Sequence, residues 1–183
     1  MAKKILLLHG WGGSDFPHWQ SWLAGELAKE YGEVKFLRFS NYDTPKLSVW
    51  MLELQNALME FTPDIVICHS LANTLWFHLC IQSSIREIEK LYLVAPPRVS
   101  CEIEELSEFF PAAIPQKLCA KESLLIVSTN DPYMSLTEAQ ELQQKLNIEM
   151  KVLENAGHIN SDSGFGEWPW MLEEVKGKHS SNS

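Results

Sequence analysis

At 183 residues, 45% of them hydrophobic, the chain has the size of one compact domain and can bury a core without metals or crosslinks. Its 15 Lys and Arg against 24 Asp and Glu give a formal charge of -9, which repels a phosphate backbone and argues against nucleic acid as a partner. The four cysteines, Cys68, Cys80, Cys101 and Cys119, have no CxxC spacing and are expected to be reduced thiols.

The opening stretch MAKKILLLHG meets His9 and Gly10 before it reaches the length of a signal-peptide core or a membrane span, so a cytoplasmic chain with no membrane partner is expected. Its apolar part, Ile5 to Leu8, reads as the first strand. The stripe Trp19, Trp22, Leu23, Leu27 marks an amphipathic helix, Val34 to Phe39 a second strand, and Leu47, Met51, Leu54 and Leu58 a second helix. Strands follow at Ile65 to Cys68 and Leu91 to Val94, with an apolar helical stretch between them. The proline-rich segment from Ala95 to Lys121 reads as a long connection holding at most a short helix. Next come a strand at Leu124 to Ser128, a helix opened by the capping box Ser135-Leu-Thr-Glu138, a weaker strand at Met150 to Leu153, and a final helix begun by Pro169.

Most of these strands are continuously apolar, as strands covered on both faces must be. The expected fold class is therefore α/β: about six mostly parallel strands with helices on both faces and no large cap domain. One domain is expected over residues 1–176, with a flexible tail over 177–183.

The strongest chemical signal is Cys68-His69-Ser70-Leu71-Ala72, a serine at the junction of a buried strand and an apolar helix. Such a turn raises the hydroxyl above the strand ends and places a helix N-terminus beside it, which favours an oxyanion. The usual glycines two residues either side of the serine are here Cys68 and Ala72. Read structurally instead, Ser70 would only cap the following helix. Cys68, still within the strand, reads as a buried small residue, and His69 is too near Ser70 in sequence to be its base.

The first strand ends in His9-Gly10-Trp11-Gly12-Gly13. Glycines there let a loop fold over the elbow and point an amide at the reaction centre, so the oxyanion donors are assigned to the Trp11 and Leu71 N–H groups. His9, Gly10, Gly12 and Gly13 support that loop, His9 through a ring hydrogen bond. The same glycines fit neither GxGxxG nor GxxxxGK, so nucleotide binding is disfavoured.

Asp131 follows the late strand and precedes Pro132; His158 follows the last strand in Glu154-Asn-Ala-Gly-His158. The order Ser70, Asp131, His158, each at the carboxyl end of an expected strand, is the order of an acid-base-nucleophile triad on a parallel sheet. Each also has a plain reading, Asp131 as a turn former and His158 as a loop histidine. Asn130 and Asp162 are weaker rival orienters. Trp11 and Trp168 lie beside these loops and are candidate pocket walls. The histidines show no metal-ligand spacing, so no metal and no cofactor are expected.

With these residues in view, the chain resembles the small serine hydrolases that include the bacterial YdeN proteins and human retinoblastoma-binding protein nine. The resemblance rests on ILLLHGWGGS at 5–14, CHSLAN at 68–73, VAPPR at 94–98, STNDPY at 128–133 and GHINSDSGFGEWP at 157–169. It implies a minimal α/β-hydrolase whose nucleophile, acid and base fall on Ser70, Asp131 and His158. The expected function is a serine hydrolase, a carboxylesterase acting on small or medium acyl esters. Thioesterase, amidase or peptidase action would use the same residues. A protein-binding module on a hydrolase scaffold is the alternative from another class, with Trp168, Trp170 and the acidic stretch Glu102 to Glu108 as its surface and a partner of unspecified kind.

Overall fold

A computed structural model describes residues 2–177; of the tail expected over 177–183, only Gly177 lies within the described residues. Six strands, β1 (Ile5–Leu8), β2 (Val34–Leu37), β3 (Ile65–His69), β4 (Ile88–Val94), β5 (Ala120–Ser128) and β6 (Glu149–Leu153), form one sheet in the order β2-β1-β3-β4-β5-β6. Every pairing is parallel, with Leu8 opposite both Leu37 and Cys68 at the carboxyl end of β1. Parallel neighbours require crossovers; helices α1 (Trp19–Glu30), α2 (Leu47–Phe61), α3 (Leu71–Gln82) and α4 (Leu136–Leu146) supply all but the one from β4 to β5, and α5 (Pro169–Val175) follows β6.

The helices divide between the two faces of the sheet, which explains the unbroken apolar strands. Trp19, Leu23 and Leu27 of α1 pack with Met171 and Val175 of α5 on Ile5, Leu7, Ile65 and Ile67. The alternate strand residues Leu6, Leu8, Val66 and Cys68 face the other way, against α2, α3 and α4. Helix α3 is buried nearly all round, from Leu71 and Ala72 to Leu79. The expected capping box is present at α4, where Glu138 N–H donates to Ser135 Oγ at 3.2 Å and Ser135 N–H to Glu138 Oε2 at 2.8 Å.

Between β4 and β5 the chain is irregular apart from a 3-10 turn, Glu104–Phe109. Its Leu106 and Phe109 are buried, and Glu108 accepts hydrogen bonds from Leu47 N–H and Lys46 Nζ, capping α2 from outside. Part of the acidic stretch thus has a structural task. Among the described residues, no helix is long and apolar enough to cross a membrane.

The direction of winding places the site. From β1 the chain moves to β2 at one edge, returns to β3 on the opposite side of β1, and then proceeds outward. The carboxyl ends of β1 and β3 therefore flank a crevice at the point where the strand order reverses, the favoured position for a ligand in an open parallel sheet.

Candidate active site

At the end of β3 the chain turns within one residue into α3. Ser70 takes φ 54° and ψ -121°, a left-handed conformation that side chains ordinarily avoid, and this lifts its hydroxyl out of the sheet. The turn is held by neighbours. Ser70 N–H donates to Val94 O at 3.0 Å, and the buried Asn73 amide donates to both Ser70 O at 2.8 Å and Val94 O at 2.9 Å. The end of β4 and the first turn of α3 together fix the elbow. Cys68 and Ala72, where glycines are usual, are both fully buried, and burial raises the pKa of the Cys68 thiol well above its ordinary value.

His158 reaches this serine from the loop after β6. Its Nε2 lies 2.7 Å from Ser70 Oγ, and its Nδ1 lies 3.0 and 2.9 Å from the two carboxylate oxygens of Asp131. A carboxylate only accepts, so Nδ1 carries the ring proton and Nε2 presents its lone pair to the serine hydroxyl. Asp131 is held in turn by Tyr133 N–H at 2.9 Å, and the Tyr133 ring packs 4.5 Å from the imidazole.

The loops carrying acid and base are buckled together. Asn130 Oδ1 accepts from Gly157 N–H at 2.7 Å, Ser128 Oγ accepts from Ala156 N–H at 2.9 Å, and Ser163 Oγ accepts from His158 N–H at 3.0 Å. Asn130, weighed as a rival orienter, is thus a loop tether. Asp162, the other rival, is exposed on the cavity rim. His69 adds a link from the nucleophile's own strand: its buried ring donates from Nε2 to His158 O at 3.1 Å. Burial drives its pKa well below the ordinary histidine value, so it stays neutral.

The glycine loop after β1 lies over the elbow. A Cβ on Gly10 would stand 2.9 Å from Ser70 Cβ and 3.1 Å from both His69 O and Leu71 N, so only glycine allows this approach. Gly12 and Gly13 both adopt positive φ, and their amides bond to Tyr42 O and Gly10 O. His9 ties the loop from below, donating from Nδ1 to Gly10 O at 2.8 Å while its Nε2 accepts Phe39 N–H at 3.0 Å. Burial lowers its pKa, consistent with this neutral, two-bond role. Leu71 is the first residue of α3, so its N–H has no acceptor one turn earlier in the helix and faces the loop.

A cavity of about 310 Å³ opens beside Ser70 and His158, with Trp11 among its walls. Trp11 is 39% exposed and anchored through its indole N–H to Asp43 O. Trp168, expected beside it as a wall, is instead 5% exposed in the core, its ring perpendicular to Trp19 at 5.0 Å. The docking of α5 on α1 draws that side chain inward. Among the described residues, no group of three His, Cys, Asp or Glu side chains is gathered for a metal ion.

The sequence profile of the Serine hydrolase family matches residues 5–176. The chain belongs to the serine hydrolase family. A relative of this hydrolase, YdeN of Bacillus subtilis, is 25% identical over 181 residues, covering 94% of each chain. The crystal structure of YdeN superposes with a TM-score of 0.85 at 21% identity, over 98% of this chain and 100% of that one. A YdeN-like protein from Pectobacterium atrosepticum is 29% identical with a TM-score of 0.78, over 94% and 88%. An esterase domain from Rhodothermus marinus shares the fold at a TM-score of 0.68 and 14% identity, over 96% and 85%. The chain is a YdeN-like small serine hydrolase with the α/β-hydrolase fold.

Sequence reasoning on this serine hydrolase weighed His69 only as a base and passed over Asn73 and Ser163; all three hold the nucleophile and base in place. Asn73 and His69 sit next to Ser70 in the chain, but their partners, Val94 and His158, are 21 and 89 positions away. The polar Asn73, followed by Thr74 in an otherwise apolar helix start, was the visible signal.

Proposed function

We propose that this chain is a carboxylesterase that acts through an acyl-enzyme on Ser70. The observation that carries the reading is the hydrogen-bonded series from Ser70 Oγ through His158 to Asp131, at 2.7 and 2.9 Å, at the carboxyl end of the sheet. Ser70 Oγ forms a bond to the ester carbonyl carbon while its proton passes to His158 Nε2. The carbonyl oxygen takes the negative charge, for which the Trp11 and Leu71 amides are the donors. The C–O bond to the alcohol then breaks, and the proton on Nε2 leaves with the alcohol.

Water repeats the sequence: His158 takes its proton, the hydroxyl attacks the acyl carbon, the bond from that carbon to Ser70 Oγ breaks to release the acid, and the proton on Nε2 returns to Oγ. Asp131 stays ionised throughout and fixes the tautomer. The esterase domain sharing the fold supports an ester as substrate. The test is labelling by a fluorophosphonate, which phosphonylates activated serines. The parent chain is expected to label and Ser70→Ala not to, with its circular dichroism unchanged; equal labelling of the two would remove Ser70 from the mechanism. Parallel ester, thioester and peptide substrates decide the leaving group, and fastest turnover of peptides would replace the esterase reading.

A further inference from the structure

Two consecutive carbonyls in the loop that carries the base are held by buried donors from elsewhere in the chain. His158 O accepts from His69 Nε2 at 3.1 Å, and Ile159 O accepts from the indole N–H of Trp19 at 2.8 Å. Trp19 is the first residue of α1, 140 positions away in the sequence. The adjoining amides are held as well: His158 N–H donates to Ser163 Oγ and Ile159 N–H to Ala156 O, both at 3.0 Å.

The backbone between these bonds is strained. Ile159 takes φ 49°, in the left-handed region that a β-branched residue avoids, and its side chain is fully buried in the cluster that holds Trp19, Trp168 and Met171. A change of φ at Ile159 would swing the preceding peptide, and His158 with it, relative to that buried side chain. Such a conformation persists only where its surroundings over-determine it, and the Trp19 bond to the Ile159 carbonyl is one of the determinants.

Trp19 is itself fixed. Its ring is fully buried, perpendicular to Trp168 at 5.0 Å and nearly so to His69 at 5.8 Å. The turn that carries it is anchored to the sheet: Gln20 Nε2 donates to Leu8 O at 3.0 Å, and His18 Nδ1 accepts Gln20 N–H at 3.1 Å as the cap of α1. Burial pulls His18 down to about 4, so its ring is neutral at pH 7 and keeps the lone pair that the cap needs. The carboxyl end of β1 and the base loop are thus tied to the same helical turn. The buried Trp76 makes an equivalent bond far from the site, to Leu118 O at 2.9 Å, just ahead of β5.

We infer that Trp19 is a positioning residue for the reaction: its N–H pins the strained Ile159 carbonyl and so keeps the His158 imidazole within hydrogen-bond reach of Ser70. The inference rests on the esterase reading, with His158 as the base. Trp19→Phe deletes the donor and keeps an aromatic ring in the core. Displacing a catalytic group by about an ångström costs up to about 10²-fold in rate. Acylation and deacylation both use His158, so kcat for p-nitrophenyl acetate is expected to fall at least about 10-fold, with fluorophosphonate labelling slowed in parallel and KM changed far less.

Trp76→Phe loses an equivalent buried bond; it should lower the thermal midpoint to a similar degree and leave kcat within about twofold of the parent. Benzothienylalanine in place of Trp19, with sulfur where the indole N–H stands, deletes the donor at nearly constant size and is read in the same assays even where the smaller phenyl ring upsets folding. A kcat within about threefold of the parent in either folded Trp19 variant overturns the inference, as does an equal loss in Trp76→Phe. A parent that neither hydrolyses the ester nor labels overturns the esterase reading and this inference with it.

Discussion

Gly10→Ala isolates the contribution of the loop that covers the elbow. Gly10 is not among the glycines with positive φ, so alanine is compatible with its backbone and the penalty is contact alone. The new Cβ would stand 2.9 Å from Ser70 Cβ and 3.1 Å from the backbone atoms His69 O and Leu71 N. Ordinary carbon contacts lie at about 3.5–4.0 Å, so the loop or the elbow must yield by about half an ångström. Neither neighbour is a flexible side-chain end. On the proposed assignment, the Trp11 amide would move away from the developing oxyanion, and loss of one such donor costs about 10²–10³ in kcat. Because that donor acts on charge formed in the transition state, KM should change far less. Steady-state hydrolysis of p-nitrophenyl acetate, with Gly25→Ala in α1 as a control whose Cβ meets open space, reads the effect directly. A Gly10→Ala kcat within threefold of the parent would refute the close-approach argument.

Asp131→Asn should lower kcat by about 10⁴, the loss known for a serine-protease triad, by favouring the wrong imidazole tautomer; stopped-flow or steady-state assays check it, and unchanged turnover would remove Asp131 from the mechanism. Asn73→Ala deletes two buried hydrogen bonds, to Ser70 O and Val94 O, and should cost about 1–3 kcal/mol of stability. A thermal midpoint within a degree of the parent would contradict it. Acid should destabilise the fold through His18, whose folded value near 4 lies below the ordinary 6.5. Between those values the unfolded chain holds more protons, so this contribution is present above about pH 6.5 and lost as pH falls towards 4, at most about 3 kcal/mol. Urea midpoints at pH 7 and 4.5 should show a shallower pH slope in His18→Asn than in the parent; equal slopes would sink the assignment.

The strand cores were legible because burial on both faces demands unbroken apolar runs, as at Ile5–Leu8. Their ends were less so. β2 stops at Leu37, short of Phe39, because β1 ends at Leu8 and offers nothing further to pair with. β4 and β5 begin earlier than their apolar runs, at Ile88 and Ala120, where Glu89, Lys90, Lys121 and Glu122 project at the solvated end of the sheet. Ser70, Asp131 and His158 could be read from their places at strand ends. Trp168 was misplaced because proximity in sequence to a loop does not fix which way a large ring turns, and α5 packing on α1 turned it inward. The tethers His69 and Asn73 were hidden because their links to His158 and Val94 join positions far apart in the chain.

The left-handed backbone at Ser70 sets selection for durability against selection for chemistry. Glycine would adopt φ 54° without the strain of about 1–3 kcal/mol that a side chain incurs there. A lineage screened only for heat resistance would therefore drift towards glycine here, as at Ala95, Cys119 and Ile159, and on the proposed mechanism the change at Ser70 alone would cost the chemistry. Persistence of serine in functional descendants would record continuing demand for turnover.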